Sequence, residues 1–346
     1  MTDGAIKIVG QMADKGKLDG IVGVGGLSNA TIVAAICQSL PIGIPKIILS
    51  CSAGMGKYNL FGRSDIAVVS TVFDTDFMND FLRQSIVKTA HMICGAVESG
   101  SISVVAEIEK KHEEGKRVVA INQFLSSHCA PALVQMLNDN GYSTIVFHSN
   151  GIGDMVMEDL INNGAKFDAV VDMCVAGVSE RLMGGNRAAD ESRLEAAGRH
   201  GIPQIVLPTA LDYISCGPLS RRDSDDALWQ ERQIQKRKYW IEDANRVQAK
   251  VSAKEAEEIG QAIATKLNRA KAPVKFLVPL QGCDVPNQVG EELYQPEINA
   301  LLIASLKNAV DAAVVDVTEY DFYLDTEEFA EIIADTIRDF VPAIAV

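Results

Sequence analysis

The sequence predicts an α/β protein built as two doubly wound, mostly parallel sheets. Continuous Val/Ile-rich runs recur along the chain, as they do in strands covered on both faces. Segments with helical spacing of apolar residues lie between them, which is the alternation of βαβ units. The 346 residues, 47% apolar and only 6% aromatic, suffice for two aliphatic cores.

Strands are expected at 21–24, 46–50, 66–70, 118–122, 144–148, 169–172, 204–208, 274–278 and 313–317. Helices are expected at 30–38, 79–98, 130–138, 155–162, 193–200, 253–269, 296–307 and 326–340. After the third helix-and-strand group come Ser99-Gly100-Ser101 and a charged stretch, 107–117, which place a domain boundary there. The first domain is therefore 1–111 and the second 112–346. Segment 221–246 holds both tryptophans and many charges of either sign. It reads as a solvated excursion between sheet elements, or as a lid or oligomer contact, because Trp229, Tyr239 and Trp240 are costly to expose.

The formal net charge is -14, which argues against a nucleic-acid or anionic-membrane surface. No run approaches the ~20 apolar residues of a membrane span. Lys7, Asp14, Lys15 and Lys17 interrupt the start, so no secretory leader is expected. Cysteines 37, 51, 94, 129, 174, 216 and 283 are odd in number and lack C-x-x-C spacing. They read as reduced thiols of a cytoplasmic protein, with Cys37 and Cys94 in the core.

Ligands of doubly wound sheets bind beyond the carboxyl ends of the strands. Two turns there carry the pattern of an anion site. Gly25, Gly26, Ser28, Asn29 and Thr31 lie between a strand and a helix, with Ser50 and Ser52 after the next strand. Glycine lets a ligand approach the backbone, and a helix N-terminus offers free N–H groups to an anion. The plainer reading is an ordinary tight βα turn. Ser149, Gly151 and Gly153 form a second such turn, with Asp154 as an N-cap. Gly184 and Gly185 count with them as candidate ligand-binding glycines, or only as a helix C-cap, and Arg187 and Arg193 read as a clamp for phosphate or carboxylate. Lys46 is a further source of positive charge, and Asp172 and Asp212 end or follow strands where a catalytic carboxylate would sit.

Weaker patterns carry less. Gly54-Met55-Gly56-Lys57 lacks a P-loop's first glycine, where Cys51 stands, and its Ser/Thr, where Tyr58 stands. His128 and Cys129 invite a nucleophile pair, but adjacent side chains point apart. No metal-ligand pair has diagnostic spacing, so no metal is expected. His91 reads as a helix-face residue, and catalytic residues stay unassigned.

Several segments together resemble the ATP-binding domain family typified by the tomato mosaic virus resistance protein. They are Gly16-Lys17-Leu18-Asp19-Gly20-Ile21 through Gly25-Gly26, Leu40-Pro41-Ile42-Gly43-Ile44-Pro45-Lys46, and Phe147-His148 with Gly151 and Gly153. Further on come Met157-Glu158-Asp159-Leu160, Gly184-Gly185, Arg193-Leu194-Glu195-Ala196-Ala197-Gly198, Gly201-Ile202-Pro203-Gln204 and Pro279-Leu280-Gln281-Gly282. The resemblance spans nearly the whole chain. It implies two Rossmann-like domains, ATP or a related nucleotide as ligand, and a TIM-barrel partner similar to phosphoenolpyruvate hydrolases. Some polar positions depart from the family pattern: Cys174-Val175-Ala176-Gly177 replaces a Thr-rich run, Glu242-Asp243 and Lys250 replace His-Asn and Arg, and Phe322-Tyr323-Leu324-Asp325 replaces His-Ile-Asn-Asp.

The resulting expectation is a cytoplasmic protein that binds a nucleotide or a phosphorylated or carboxylated small molecule in a cleft between its domains, as a metabolic enzyme or enzyme subunit. The alternative is a non-catalytic regulatory or partner-binding subunit that keeps the fold without the polar site. The family pattern also places two strands ahead of the segment matching Met1. A first domain of three strands leaves an unpaired sheet edge. That edge predicts a homo-oligomer, or a complex with a small subunit supplying the strands.

Overall fold

The computed structural model describes residues 1–53 and 60–344, so Gly54-Met55-Gly56-Lys57 lies outside the described residues. The chain divides into two compact units, Met1–Glu107 and Ile108–Val346.

The first unit runs α1 (Thr2–Asp14), β1 (Ile21–Gly25), α2 (Leu27–Gln38), β2 (Lys46–Ser50), β3 (Ile66–Ser70) and α3 (Asp80–Glu98). Its three strands pair in parallel in the order β1-β2-β3, with Gly23 opposite Ile48 and Ile48 opposite Val68. Ala30, Ala34 and Cys37 of α2 pack on Ile48 and Ile66. Gly23 makes that contact possible: a Cβ there would sit 2.2 Å from Val33 Cγ1. Asn79 caps α3 by accepting from Leu82 N. Contrary to expectation, Cys94 is exposed, because α3 buries only Leu82 and Thr89.

Helix α4 (Val104–Glu113) carries the chain into the second unit, where the sequence suggested only a charged stretch. There follow β4 (Arg117–Gln123), α5 (Cys129–Asp139), β5 (Tyr142–His148), α6 (Gly153–Asn162), β6 (Ala169–Asp172), α7 (Ala176–Met183), α8 (Ala196–Arg199) and β7 (Gln204–Val206). After an excursion come α10 (Ala253–Leu267), β11 (Val274–Pro279), α11 (Pro296–Ala309), β12 (Val315–Tyr320) and α12 (Glu327–Phe340). The excursion itself holds β8 (Tyr213–Ser215), α9 (Ala227–Glu231), β9 (Tyr239–Ile241) and β10 (Val247–Lys250).

Six strands form one parallel sheet in the order β12-β11-β7-β6-β4-β5. Successive residues serve opposite faces. Val206 and Phe276 pack with Ile259, Ile263 and Leu302 of α10 and α11. Ile205 and Leu277 pack with Leu133, Phe329 and Ile333 of α5 and α12. A sheet covered on both faces explains the continuous apolar runs. Both units are thus helix-flanked parallel sheets, the fold class the sequence predicts.

Some boundaries differ from expectation. Strand β12 starts at Val315 because Val314 N and Val315 N both donate to Asp311 O, which holds 311–314 as a turn. Strand β7 stops at Val206, before Pro208. The helix expected at 193–200 shrinks to α8, since Leu194 takes φ +74°. The excursion is largely exposed, as the first reading expects, but it is folded and Leu228, Trp229 and Ile234 are buried. Its strands form an antiparallel sheet, β8-β10-β9. Trp229 is buried, donates Nε1 to Cys216 O at 2.8 Å, and meets Tyr239 edge-on at 5.8 Å. Glu255 anchors the segment by accepting from Arg232 and Arg237 while completing a capping box with Ser252.

Candidate functional site

The β1–α2 turn runs directly from a strand into a helix. Gly26 is the N-cap of α2, and among the described residues no side chain caps it. The first intrahelical bond runs from Ala30 N to Gly26 O. Ser28 and Asn29 are exposed, and among the described residues a Cβ at Gly26 would meet only Cys51 Sγ at 3.9 Å. A Cβ at Gly25 would lie 2.5 Å from Asn29 Cβ, so this glycine serves the turn's own packing. Thr31 turns its hydroxyl back onto Leu27 O and Ser28 O, and Ser50, fully buried, accepts from Ser52 N. Lys46 stands at the opposite end of β2 and donates to Pro41 O, Ile44 O and Asp65, so it supplies no charge to this turn.

The second predicted cluster is brought together, but mainly for packing. A Cβ at Gly151 would meet Arg187 O at 2.5 Å, and one at Gly153 would meet His148 O at 2.5 Å. Asn150, not Asp154, caps the α6 turn, accepting from Ile152 N and Gly153 N. Ser149 is buried with its hydroxyl unpartnered. Gly184 ends α7 in the left-handed region, φ +82°, and Gly185 leaves room for the Glu180 carboxylate. Glu180 in turn binds Arg187 Nε and Nη2 at 2.9 and 2.7 Å, beneath the Phe124 ring. Arg187 is thus an internally paired cation with only Nη1 unpartnered.

Arg193 is no clamp for a ligand. It is fully buried and donates to Asp154 at 3.0 Å, Glu158 at 3.2 Å and both oxygens of Asp172. Asn122 adds a 2.7 Å bond to Asp172. Strand order reverses between β4 and β6, the place where such sheets usually open a crevice. Here Asn122 and Asp172 mark that place, and the chain's own ion cluster fills it.

The open cavity lies two strands away. It measures about 860 Å³ at the carboxyl ends of β7 and β11. Leu211 and Asp212 line it from β7, Pro279 to Cys283 from β11, and Asn299, Ala300 and Ile303 from one stripe of α11. Its floor is a continuous polar network. Lys250, buried at the end of β10, donates to Asp212, to Asn287 Oδ1 at 2.6 Å and to Asn299 Oδ1 at 3.2 Å. Asn287 donates to Asp284 at 2.7 Å and to Asp212 at 3.3 Å, and Tyr213 donates to Asp284 at 3.0 Å.

Burial and the adjacent Asp212 charge push the Asp284 carboxyl up to about 7, against the pull of Asn287, Tyr213 and Lys250. Burial, with Asp284 and Asp212, drives the Cys283 thiol well above its ordinary range, so it stays protonated. Cys129 is likewise pushed up to about 12, mainly by burial, which removes it as a nucleophile. His128 is exposed and held by Asp325. No group of three or more His, Cys, Asp or Glu side chains placed to hold a metal occurs among the described residues. None of their helices is long and apolar enough to cross a membrane.

Of the floor, Asp212 was legible in advance as a carboxylate after a strand. Lys250 figured there only as a departure from the family's Arg, and Asp284, Asn287, Asn299 and Tyr213 were not named. The rule of inspecting strand ends, applied to Gln281–Asp284 after the expected strand 274–278, would have found Asp284 and led to Asn287.

The fold defines a protein of two Rossmann-like α/β units. The chain belongs to the uncharacterised protein family UPF0261, whose N-terminal domain matches residues 1–101 and whose C-terminal domain matches residues 116–341. A UPF0261 protein of Clostridium tetani is 29% identical over 331 residues, 95% of this chain and 78% of that protein. The ToMV resistance protein Tm-1(GCR237) of Solanum lycopersicum is 28% identical over 95% of this chain, which spans only 42% of the tomato protein. A UPF0261 protein of Brucella suis biovar 1 is 28% identical over 95% of this chain and 75% of that protein.

Proposed function

We propose that this chain is a metabolic enzyme, or an enzyme subunit, that binds a small molecule in the cavity over Asp212, Asn287 and Asn299. The observation that carries this reading is the buried Asp212–Lys250–Asn287–Asp284 network directly beneath an open cavity at the carboxyl edge of the sheet. A structural ion pair alone would be better replaced by apolar packing, since burying charge costs several kcal/mol per ion. A charge-compensated carboxylate next to an acid that titrates near neutrality is the pattern used for proton transfer. Asp212 would take or give the proton, Lys250 would hold its charge, and Asp284 would set the field beneath it. Titrating small-molecule panels against the chain and its Asp212→Asn variant tests this. Ligands whose turnover, but not binding, disappears in the variant support an enzyme. Binding without turnover in either protein supports the non-catalytic subunit, and absence of any ligand blocked by filling the cavity refutes the site.

A second reading rests on the N-terminus of α2 at Gly26, which no described side chain caps and which suits the phosphate or carboxylate of a nucleotide or similar anion. The resemblance to ATP-binding proteins supports it. Calorimetry with ATP, ADP and small phosphorylated acids tests it, and no heat from any of them removes it. Association through the open edge of β1, where Val22 and Val24 are exposed, is a related proposal that light scattering on the purified chain decides.

A further inference from the structure

We propose that the cavity over Asp212 recognises an uncharged carboxamide-type group: a primary amide, lactam or ureide edge carrying a C=O beside an N–H. This inference rests on the reading of that cavity as the ligand site and names what the site accepts.

The argument starts from Lys250, which has three protons and no acceptor. All three are directed, to Asp212 Oδ2, Asn287 Oδ1 and Asn299 Oδ1. Because Lys250 only donates, it fixes the oxygen of Asn299 toward itself and leaves Nδ2 as the other end of that amide. Asn299 Nδ2 donates to no described group, and the residue lines the cavity. On the other side of the same ammonium, Asp212 Oδ1 receives only the long 3.3 Å bond from Asn287. A carboxylate oxygen has room for a further donor. Lys250 therefore links an unused donor and an under-used acceptor on two residues that both line the cavity. A C=O meets Asn299 Nδ2 and an N–H meets Asp212.

Charge excludes the obvious competitors. The lysine that lines the cavity, Lys307, is paired with Glu319 at 2.5 Å. A carboxylate or phosphate entering here would meet the Asp212 charge with no unpaired cation to receive it, and it lacks the N–H that Asp212 accepts. The rest of the wall suits an apolar body: Leu211, Pro279, Leu280 and Ile303 line it.

Benzamide and benzoate form a matched pair of probes, equal in shape and differing in the N–H and the charge. Ligand-observed saturation-transfer NMR on the full chain reads their occupancy. Benzamide is expected to bind at least about tenfold better, because one unsatisfied or repelled polar contact is worth that much. Asn299→Asp keeps an oxygen for Lys250 and removes the donor, so it should weaken benzamide about tenfold without unfolding the chain, while benzoate, facing a second carboxylate, gains nothing. Ala304→Trp, on the exposed side of α11, fills the cavity and should block benzamide altogether. Benzamide binding that survives Ala304→Trp, or no binding of either probe, would overturn the cavity as the site. Equal or better binding of benzoate that Ala304→Trp still blocks would overturn the ligand class and leave the site standing.

Discussion

Asp325 closes the N-terminus of α5 from the far end of the chain: its Oδ1 accepts from Cys129 N at 2.9 Å. The same carboxylate accepts from His128 N, Ser127 N and the side chains of Ser126, Ser127 and His128. A helix N-terminus that follows a central strand is a natural anion site. Here an internal carboxylate occupies it, which joins the loop before α12 to the turn after β4.

Asp325→Asn is expected to destabilise the second unit by about 1.5–3 kcal/mol, since charged hydrogen bonds become neutral and one amide faces N–H donors. Burial alone would raise this carboxyl, but the N–H groups of Cys129 and His128 outweigh it and hold it well below the ordinary range. A depressed carboxylate stabilises fully above its unfolded value and loses that contribution as pH falls toward the folded one. Urea midpoints should therefore converge for the two proteins below about pH 4, the ordinary carboxylate range. A constant gap from neutral to acid pH would contradict the role given to the charge.

Arg193→Met should cost about 3–5 kcal/mol, because it leaves the buried carboxylates of Asp154 and Asp172 without their cation. Arg193→Lys should recover only part, since an ammonium cannot fork onto both oxygens of Asp172 while reaching Glu158. Chemical denaturation of both variants checks the ranking. Equal stability of Lys and Met variants would show that the fork geometry contributes nothing.

The continuous apolar strands were legible because burial on both faces leaves its mark in every residue, as at 118–122 and 169–172. The glycine turn at Gly25-Gly26 was legible for the same local reason. What sequence could not reveal were partners far apart along the chain. Arg193 looked like a ligand clamp because Asp154, Glu158 and Asp172 lie 21 to 39 residues earlier. Lys46 looked available because its acceptors, Pro41 O and Ile44 O, are backbone atoms that no sequence pattern announces. Lys250 was legible only as a replacement for the family's Arg, and not as the centre of a network, because its partners Asp212 and Asn287 sit 38 and 37 residues away on either side. Tertiary pairing, and not residue type, decides which charges remain for a ligand.

Gly23 and Gly26 should respond oppositely to a side chain. Gly23→Ala places a Cβ 2.2 Å from Val33 and must push α2 off β1, at a cost of about 1–3 kcal/mol. Gly26→Val meets, among the described residues, only Cys51 Sγ at ordinary contact distance and has a backbone at φ -71°, so the fold should persist. If the α2 turn holds an anion, the same Gly26→Val side chain occupies the anion's place and should abolish ATP or phosphate binding measured by calorimetry. Retained affinity in a folded Gly26→Val protein would move the anion elsewhere.

Asp284 makes the opposite pH prediction to Asp325. Burial and the Asp212 charge raise its carboxyl to about 7, whereas an unfolded aspartate titrates near about 4. Between those values the folded chain keeps a proton that the unfolded chain has released. Stability from this group therefore falls as pH rises through that window and is fully lost above it. Asp284→Asn keeps an acceptor for Tyr213 and removes the titration. Its thermal midpoint should gain on the parent protein from pH 5 to pH 8, by on the order of a few kcal/mol in equivalent stability. If ligand binding in the cavity needs the protonated acid below Asp212, the parent's affinity should drop across the same interval while the Asn variant's stays flat. A parent and variant that keep the same difference in midpoint at both pH values would show that Asp284 does not titrate there.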